Sequence, residues 1–373
     1  MTLLTGFTAA PTWMRGQAWR RADSRVEELL SGAPIVDAVV LAEQAGFDAV
    51  FRPDALTLPI DTIREDPAHL GLDPVVQAAQ LAAATHRIAL IPTVSATFSE
   101  PYPVARQLVS LEHLAPGRIG WNVVTSRTGD GQFSVARLPD SAARWRRAEE
   151  LIDAVESLRA GFPAAALRAD RTDGTLVDPA LVRPSDHAGE HFRVAGPLPL
   201  PGAVPEAGAA PRRLPLLIAG GGPAQALAGR RADAVFAAAV EPMAGRAQRS
   251  AIRDAAAAAG RADPPRLLPG LSLLLADTRE QARELARTSA PAGAGRPPGG
   301  PHWTVIGTPE DAVASIAERA RHGGLDGFIV FPIGWWRSVE LVCGAVMPRL
   351  RELGLIASEP HPDPFTTRQE THE

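Results

Sequence analysis

Small hydrogen-bonding side chains stand at or just after several apolar runs of this 373-residue chain. Arg52, Pro53 and Asp54 follow the run AVF. Thr93, Ser95 and Thr97 accompany RIALIP, and Asn122, Thr125 and Ser126 follow IGW. Gly221 and Gly222 follow LLIAG, and Trp335 and Trp336 follow FIVFP. Hydroxyls and amides in such numbers suit an uncharged heterocycle with several donors and acceptors. Asn122 is the most informative, because an apolar strand has no evident use for an amide and a buried amide must find partners. A ligand contact and an internal polar network both satisfy that condition. Asp54 closes a turn or accepts from a ring N–H, and Ser95 ties a strand-end backbone group or touches the same ligand. The glycines at 220–222 form either an N–H-lined concavity for phosphate or a tight turn. Trp335 and Trp336 read as packing or as lid aromatics.

Other chemistries lack their residues. Every one of the 38 Lys-or-Arg positions is Arg, so a Lys Schiff base and a P-loop Lys are both excluded. Cys343 is the single cysteine and sits in the apolar stretch ELVCGAVM, which marks a buried, inert thiol and leaves no internal disulfide. The histidines are scattered without HExxH spacing. His187 and His191 stand four apart in a Gly-containing segment unsuited to a helix, so no metal site is expected. GxSxG, GxGxxG and Walker patterns are absent. A net charge of −4 with 21% charged residues indicates no nucleic-acid partner. The first residues lack a signal-peptide layout, and no apolar run approaches the ~20 residues that span a bilayer. A cytoplasmic protein without a membrane contact is expected.

The elements that must position these side chains follow one rhythm. Apolar β-like runs near Ala49, Ile88, Ile119, Leu216, Ala234, Leu271 and Gly327 are each followed by a helical pattern, and LTGFTAA near the N-terminus makes an eighth. IVDAVVLAEQAGF is helical with Gly46 as its stop, and helices open at Thr278 and at Thr308-Pro309 with N-cap chemistry. Repeated βαβ units imply parallel strands with helices outside. Eight of them favour a (β/α)8 TIM barrel, in which active groups project from the C-terminal strand ends. The reading is one domain over 1–373 with insertion loops near 161–210 and 286–302. The latter contains the Pro/Gly run PAGAGRPPGGP.

The phrases EPYPVAR, LEHLAPGR and GWNVVTS, in that order, resemble the nitrilotriacetate, dibenzothiophene-sulfone and pristinamycin monooxygenase branch of the bacterial luciferase-like superfamily. AWRR near Trp19, AGFDAVFRPD, HAGEHFRVAGPL, LLPGLSLLLADTREQA, IGTPEDAVASI and LDGFIVFP extend the likeness from about Trp19 to Leu355. The resemblance implies reduced FMN supplied by a separate flavin reductase, with O2 and a small organic substrate, and a homodimer or larger homo-oligomer. It places Asp54, Ser95, Asn122 and Thr125 around the flavin ring, with Asn122 and Ser95 closest to the chemistry. Trp145 and the Gly221–Gly222 turn fall on the phosphate side. This chain departs from the pattern there: glycines replace serines at Gly221 and Gly222, and a His-x-x-Arg-Tyr element reads Ser141-Ala-Ala-Arg144-Trp145. Two rival readings share the barrel. One is hydride transfer with a deazaflavin, since a fold does not fix a chemistry. The other is a flavin-binding subunit without turnover.

Overall fold

The computed structural model describes residues 2–58, 60–63, 67–134, 137–203, 213–219, 222–289, 300, 302–360 and 364–365. Nine parallel strands form its main sheet: β1 (Leu4–Thr8), β2 (Ala49–Arg52), β3 (Ala89–Ser95), β4 (Trp121–Val124), β5 (Leu216–Ala219), β6 (Ala234–Ala237), β7 (Arg266–Leu275), β8 (Trp303–Gly307) and β9 (Gly327–Pro332). Their order is β6-β5-β4-β3-β2-β1-β9-β7-β8, and a further β6–β7 pairing closes eight of them into a cylinder. The eight strands expected from the apolar runs are these eight. β8 was not anticipated, and it lies outside the closed ring against the upper half of β7.

The period of two along each strand sends alternate side chains inward. Leu4, Ala49, Phe51, Ala89, Ile91, Leu217, Ala234, Leu268, Ile329 and Phe331 form that inner cluster. Gly6 belongs to the same inward set. A Cβ there would lie 2.7 Å from the Phe51 ring and 3.0 Å from Ile329, so the glycine makes room for its neighbours. The larger core lies between the cylinder and the helices around it.

Local chemistry sets the helix ends. In α1 (Ala33–Gln44) Gly46, at φ +82°, ends the helix, as its sequence suggests. The Asp73 carboxylate caps α2 (Pro74–Ala84) by accepting from Val75 N and Val76 N. The expected starts at Thr278 and Thr308 hold. Thr278 Oγ1 accepts from Gln281 N at the head of α7 (Arg279–Ser289). Thr308 and Asp311 form a capping box on α8 (Pro309–Arg321). The remaining helices used below are α3 (Pro101–Leu114), α4 (Ser141–Ala160), α5 (Pro223–Arg231) and α6 (Pro242–Ala258).

Between α4 and β5 the chain leaves the βα rhythm and makes two small antiparallel ribbons, Leu167–Asp170 with Thr175–Val177 and His187–Ala188 with Arg193–Val194. Glu150 of α4 pins the second ribbon by accepting from His191 N, Phe192 N and His187 Nε2. The His187 imidazole is therefore occupied structurally, whereas His191 is held through its backbone N–H. Among the described residues no group of acidic, His or Cys side chains could hold a metal, and no helix is long and apolar enough to cross a membrane. Trp335 donates to Leu275 O, and Trp336 meets Trp13 edge-on at 5.1 Å, which fits the packing reading of both.

Candidate active site

The C-terminal ends of β1, β3 and β4 carry a patch of hydroxyl and amide groups that points into the cylinder. Register shows why. Asn122 pairs with Leu217 on one side and Thr93 on the other, and Leu217 pairs with Ala234. Side chains level with one another in parallel strands share a face. Leu217 and Ala234 are inner-cluster residues, so Thr93 and Asn122 point inward as well. Ser95 lies two residues above Thr93, and Thr8 lies two above Gly6.

The patch is partly self-satisfied. Asn122 Nδ2 donates to Thr93 Oγ1 at 3.1 Å, and the Ser95 and Ser126 hydroxyls are 2.6 Å apart. Thr97 Oγ1 accepts from Ser126 N at 3.0 Å, which ties the loop after β4 to the loop after β3. Arg147 of α4 holds the latter loop from outside, donating to Ala96 O, Thr97 O and Ser99 O at 3.2 Å each. Its guanidinium lies over Phe192 at 4.2 Å.

Two polar atoms remain without partners inside this patch: Asn122 Oδ1 and Thr8 Oγ1, both buried. An unmade hydrogen bond of this kind costs about 1–3 kcal/mol. Turning the Asn122 amide over exchanges its atoms and leaves Nδ2 as the orphan, so one amide atom is free in either orientation. The residues therefore fit a polar heterocycle that fills the mouth and completes these bonds.

The other expected site residues divide. Thr125 is half-buried just beyond β4. Asp54 sits in the loop after β2, where its carboxylate accepts from Ala55 N at 2.9 Å. The residue keeps an exposed surface, yet chain crowding around its carboxyl raises its pKa; the Ala55 N–H opposes this, Asp73 adds to it and Arg52 opposes it. Arg52, two residues earlier, turns outward and donates to Pro53 O and Leu72 O at 2.8 Å each. It anchors the loop that carries Asp54. Trp145 lies on the buried face of α4, 8% exposed and packed in the outer core with Ala148 and Ile152. Gly221 lies outside the described residues. Gly222 precedes α5 with φ +60° and ψ −123°, a conformation glycine adopts readily. At that helix start Pro223 has no N–H and Gln225 N donates to Gly222 O, so few N–H groups are left to meet an anion.

Sequence reasoning did not find Thr8 or His302, which packs on Phe331 at this same end. Thr8 closes the run LTGFT, where alternation alone assigns it inward. His302 gave no signal because the strand that positions it was not recognised.

The luciferase-like monooxygenase family model matches residues 14–326. The chain belongs to the luciferase-like monooxygenase family. It is 31% identical over 284 residues to N-acetyl-S-(2-succino)cysteine monooxygenase of Bacillus subtilis (strain 168), covering 74% of this chain and 62% of that protein. It is 31% identical over 303 residues to dibenzothiophene-sulfone monooxygenase of Rhodococcus erythropolis, covering 76% and 64%. These matches span less than two thirds of either relative. A riboflavin lyase, solved with a modified FMN and riboflavin, superposes with a TM-score of 0.81 at 27% identity, over 97% of this chain and 94% of that one. The resemblance read from EPYPVAR, LEHLAPGR and GWNVVTS thus names the right family.

Proposed function

We propose that this chain is a flavin-dependent monooxygenase that takes reduced FMN from a separate reductase and uses O2 to oxidise a small organic substrate. The observation that carries this reading is the partnerless amide atom of Asn122, buried on the inner wall of the barrel mouth. The names of the relatives support it, as does the modified FMN of the structural neighbour.

Reduced flavin, when bound, supplies the electrons that activate O2. The protein binds, orients and keeps water out. Asn122 and Ser95 hold the polar edge of the ring, Thr125 flanks it, and Asp54 accepts from a ring N–H at the outer rim. Gly222 and the start of α5 receive the phosphate through backbone N–H groups. Phe331 and Phe236 wall the mouth on the far side and exclude water from it. No acid–base pair of side chains is required by this scheme.

Anaerobic titration with reduced FMN, alongside a reduced deazaflavin, tests the reading. FMN is expected to bind the more tightly, and mixing the complex with O2 is expected to reoxidise it at a rate unlike that of free flavin. Failure to bind FMN in either redox state would overturn the proposal, and a preference for the deazaflavin would redirect it to hydride transfer.

A further inference from the structure

His302 stands immediately before β8, at the level where β7 changes neighbours. Below this point Pro269 pairs with Ala237 of β6, and above it Leu271 pairs with Trp303 of β8. The imidazole lies nearly flat on Phe331, with centroids 4.6 Å apart and planes 17° from parallel, and Phe236 is 5.8 Å away. Phe331 is an inner-cluster residue near the end of β9, so the ring belongs to the inner wall of the mouth. Around the cylinder β9 and β4 are four strands apart in either direction. His302 therefore faces the wall that carries Asn122.

One edge of the ring is committed. A Cβ on Gly270 would lie 2.6 Å from His302 Nδ1, 3.0 Å from Cγ and 3.1 Å from Cε1. Gly270 is a seat for the imidazole, and any larger residue would displace it. Nδ1 is buried against this seat without a hydrogen-bond partner. A proton there would have no acceptor, whereas Nε2 sits on the opposite edge, away from Gly270. The Nε2–H tautomer follows, with its donor free for a ligand. Burial pushes the pKa down to about 4, and Arg15 is the charged group that adds to this, so the ring is neutral at pH 7.

We propose that His302 is a further ligand-binding residue of the barrel mouth, an imidazole stacked on Phe331 and seated over Gly270 that donates from Nε2 to an acceptor oxygen of the bound flavin. This rests on the flavin reading above. Phe331, Phe236 and His302 line the wall opposite the polar patch, with the imidazole stacked on Phe331 and tilted 45° from Phe236, and a ligand held between the two walls can meet the edge of the imidazole as well as the patch.

Fluorescence titration of FMN against the wild type, His302→Leu, His302→Gln and Gly270→Ala tests it. Gln places an N–H where Nε2 stands. The Leu variant is expected to bind FMN about five- to tenfold more weakly, the worth of one hydrogen bond. Gln should remain within about twofold of wild type on the same scale. Gly270→Ala should follow Leu although its histidine is intact. Long-range 1H–15N NMR of the wild type should show Nδ1 unprotonated and the Nε2 resonance moving when FMN is added. Equal FMN affinity of wild type and His302→Leu would overturn the proposal, and so would a proton on Nδ1. A wild type that binds no FMN removes the flavin reading itself, and that result is distinguished by appearing before any substitution is made.

Discussion

Acid should destabilise this fold partly through one imidazole. Burial, reinforced by Arg15, disfavours the charged form of His302 and pushes its pKa from 6.5 in an open chain down to about 4 in the folded protein. Between those values the unfolded chain holds a proton that the folded chain does not. Stability therefore falls as the pH drops from 6.5 toward 4, and this loss stops growing below 4. The whole gap corresponds to roughly 3.4 kcal/mol, and at pH 5 about 2 kcal/mol of it is already lost. The ring is not fully enclosed, so solvent screening trims the effect to about 1–2 kcal/mol. His302→Gln has no such proton to exchange. Urea unfolding of both proteins at pH 7 and pH 5 isolates the contribution, since their other titrations cancel in the difference. Wild type should lose about 1–2 kcal/mol more than His302→Gln. Parallel losses would refute the assignment of a buried neutral imidazole at this position.

Asp326, 2% exposed, accepts from Leu267 N at 3.0 Å and from Arg249 Nε at 3.0 Å with each of its two oxygens. Asp326→Ala should cost about 3–5 kcal/mol, because a buried N–H and a guanidinium lose their partner; a nearly unchanged urea midpoint would contradict this. Asn122→Leu removes an orphan atom, so its stability should stay within about 1 kcal/mol of wild type. Its reduced-FMN affinity should drop about tenfold or more, and equal affinity in the titration would remove Asn122 from the site. Gly6→Ala puts a methyl against Phe51 and Ile329 and should cost about 1–3 kcal/mol by overpacking, read as a lower thermal midpoint; an unshifted midpoint would show that the inner layer yields freely.

The barrel was legible in the sequence because each of its strands is a short apolar run joined to a helix with plain start and stop signals. β8 was not. Its residues are mixed in exposure, with Ile306 on the surface and Trp303 buried, so no period of two stands out, and the N-cap at Thr308 is the louder feature. Asn122 was weighed between a ligand contact and an internal network, and the structure shows the network on one amide atom with the other left unpaired. For Trp145 the resemblance suggested a phosphate contact. The helical period of α4 puts the indole on the same buried face as Ala148 and Ile152, a placement the motif alone did not reveal. His302 depends on Gly270 and Phe331, both remote in the chain, and such a meeting leaves no local trace.

The exchange of partners along β7 has a consequence for how this mouth tolerates change. His302 reaches its place through a hydrogen-bonded ladder: Trp303, Thr304 and Val305 are matched to Leu271, Ser272 and Leu273. A slip of one residue in that ladder would turn alternate side chains to the opposite face, so the imidazole is indexed by the sheet, much as a tooth is indexed by its rack. Any change that keeps this ladder in register leaves the ring where it is. Unpairing Trp303 from Leu271 would instead release the imidazole from its place over Phe331.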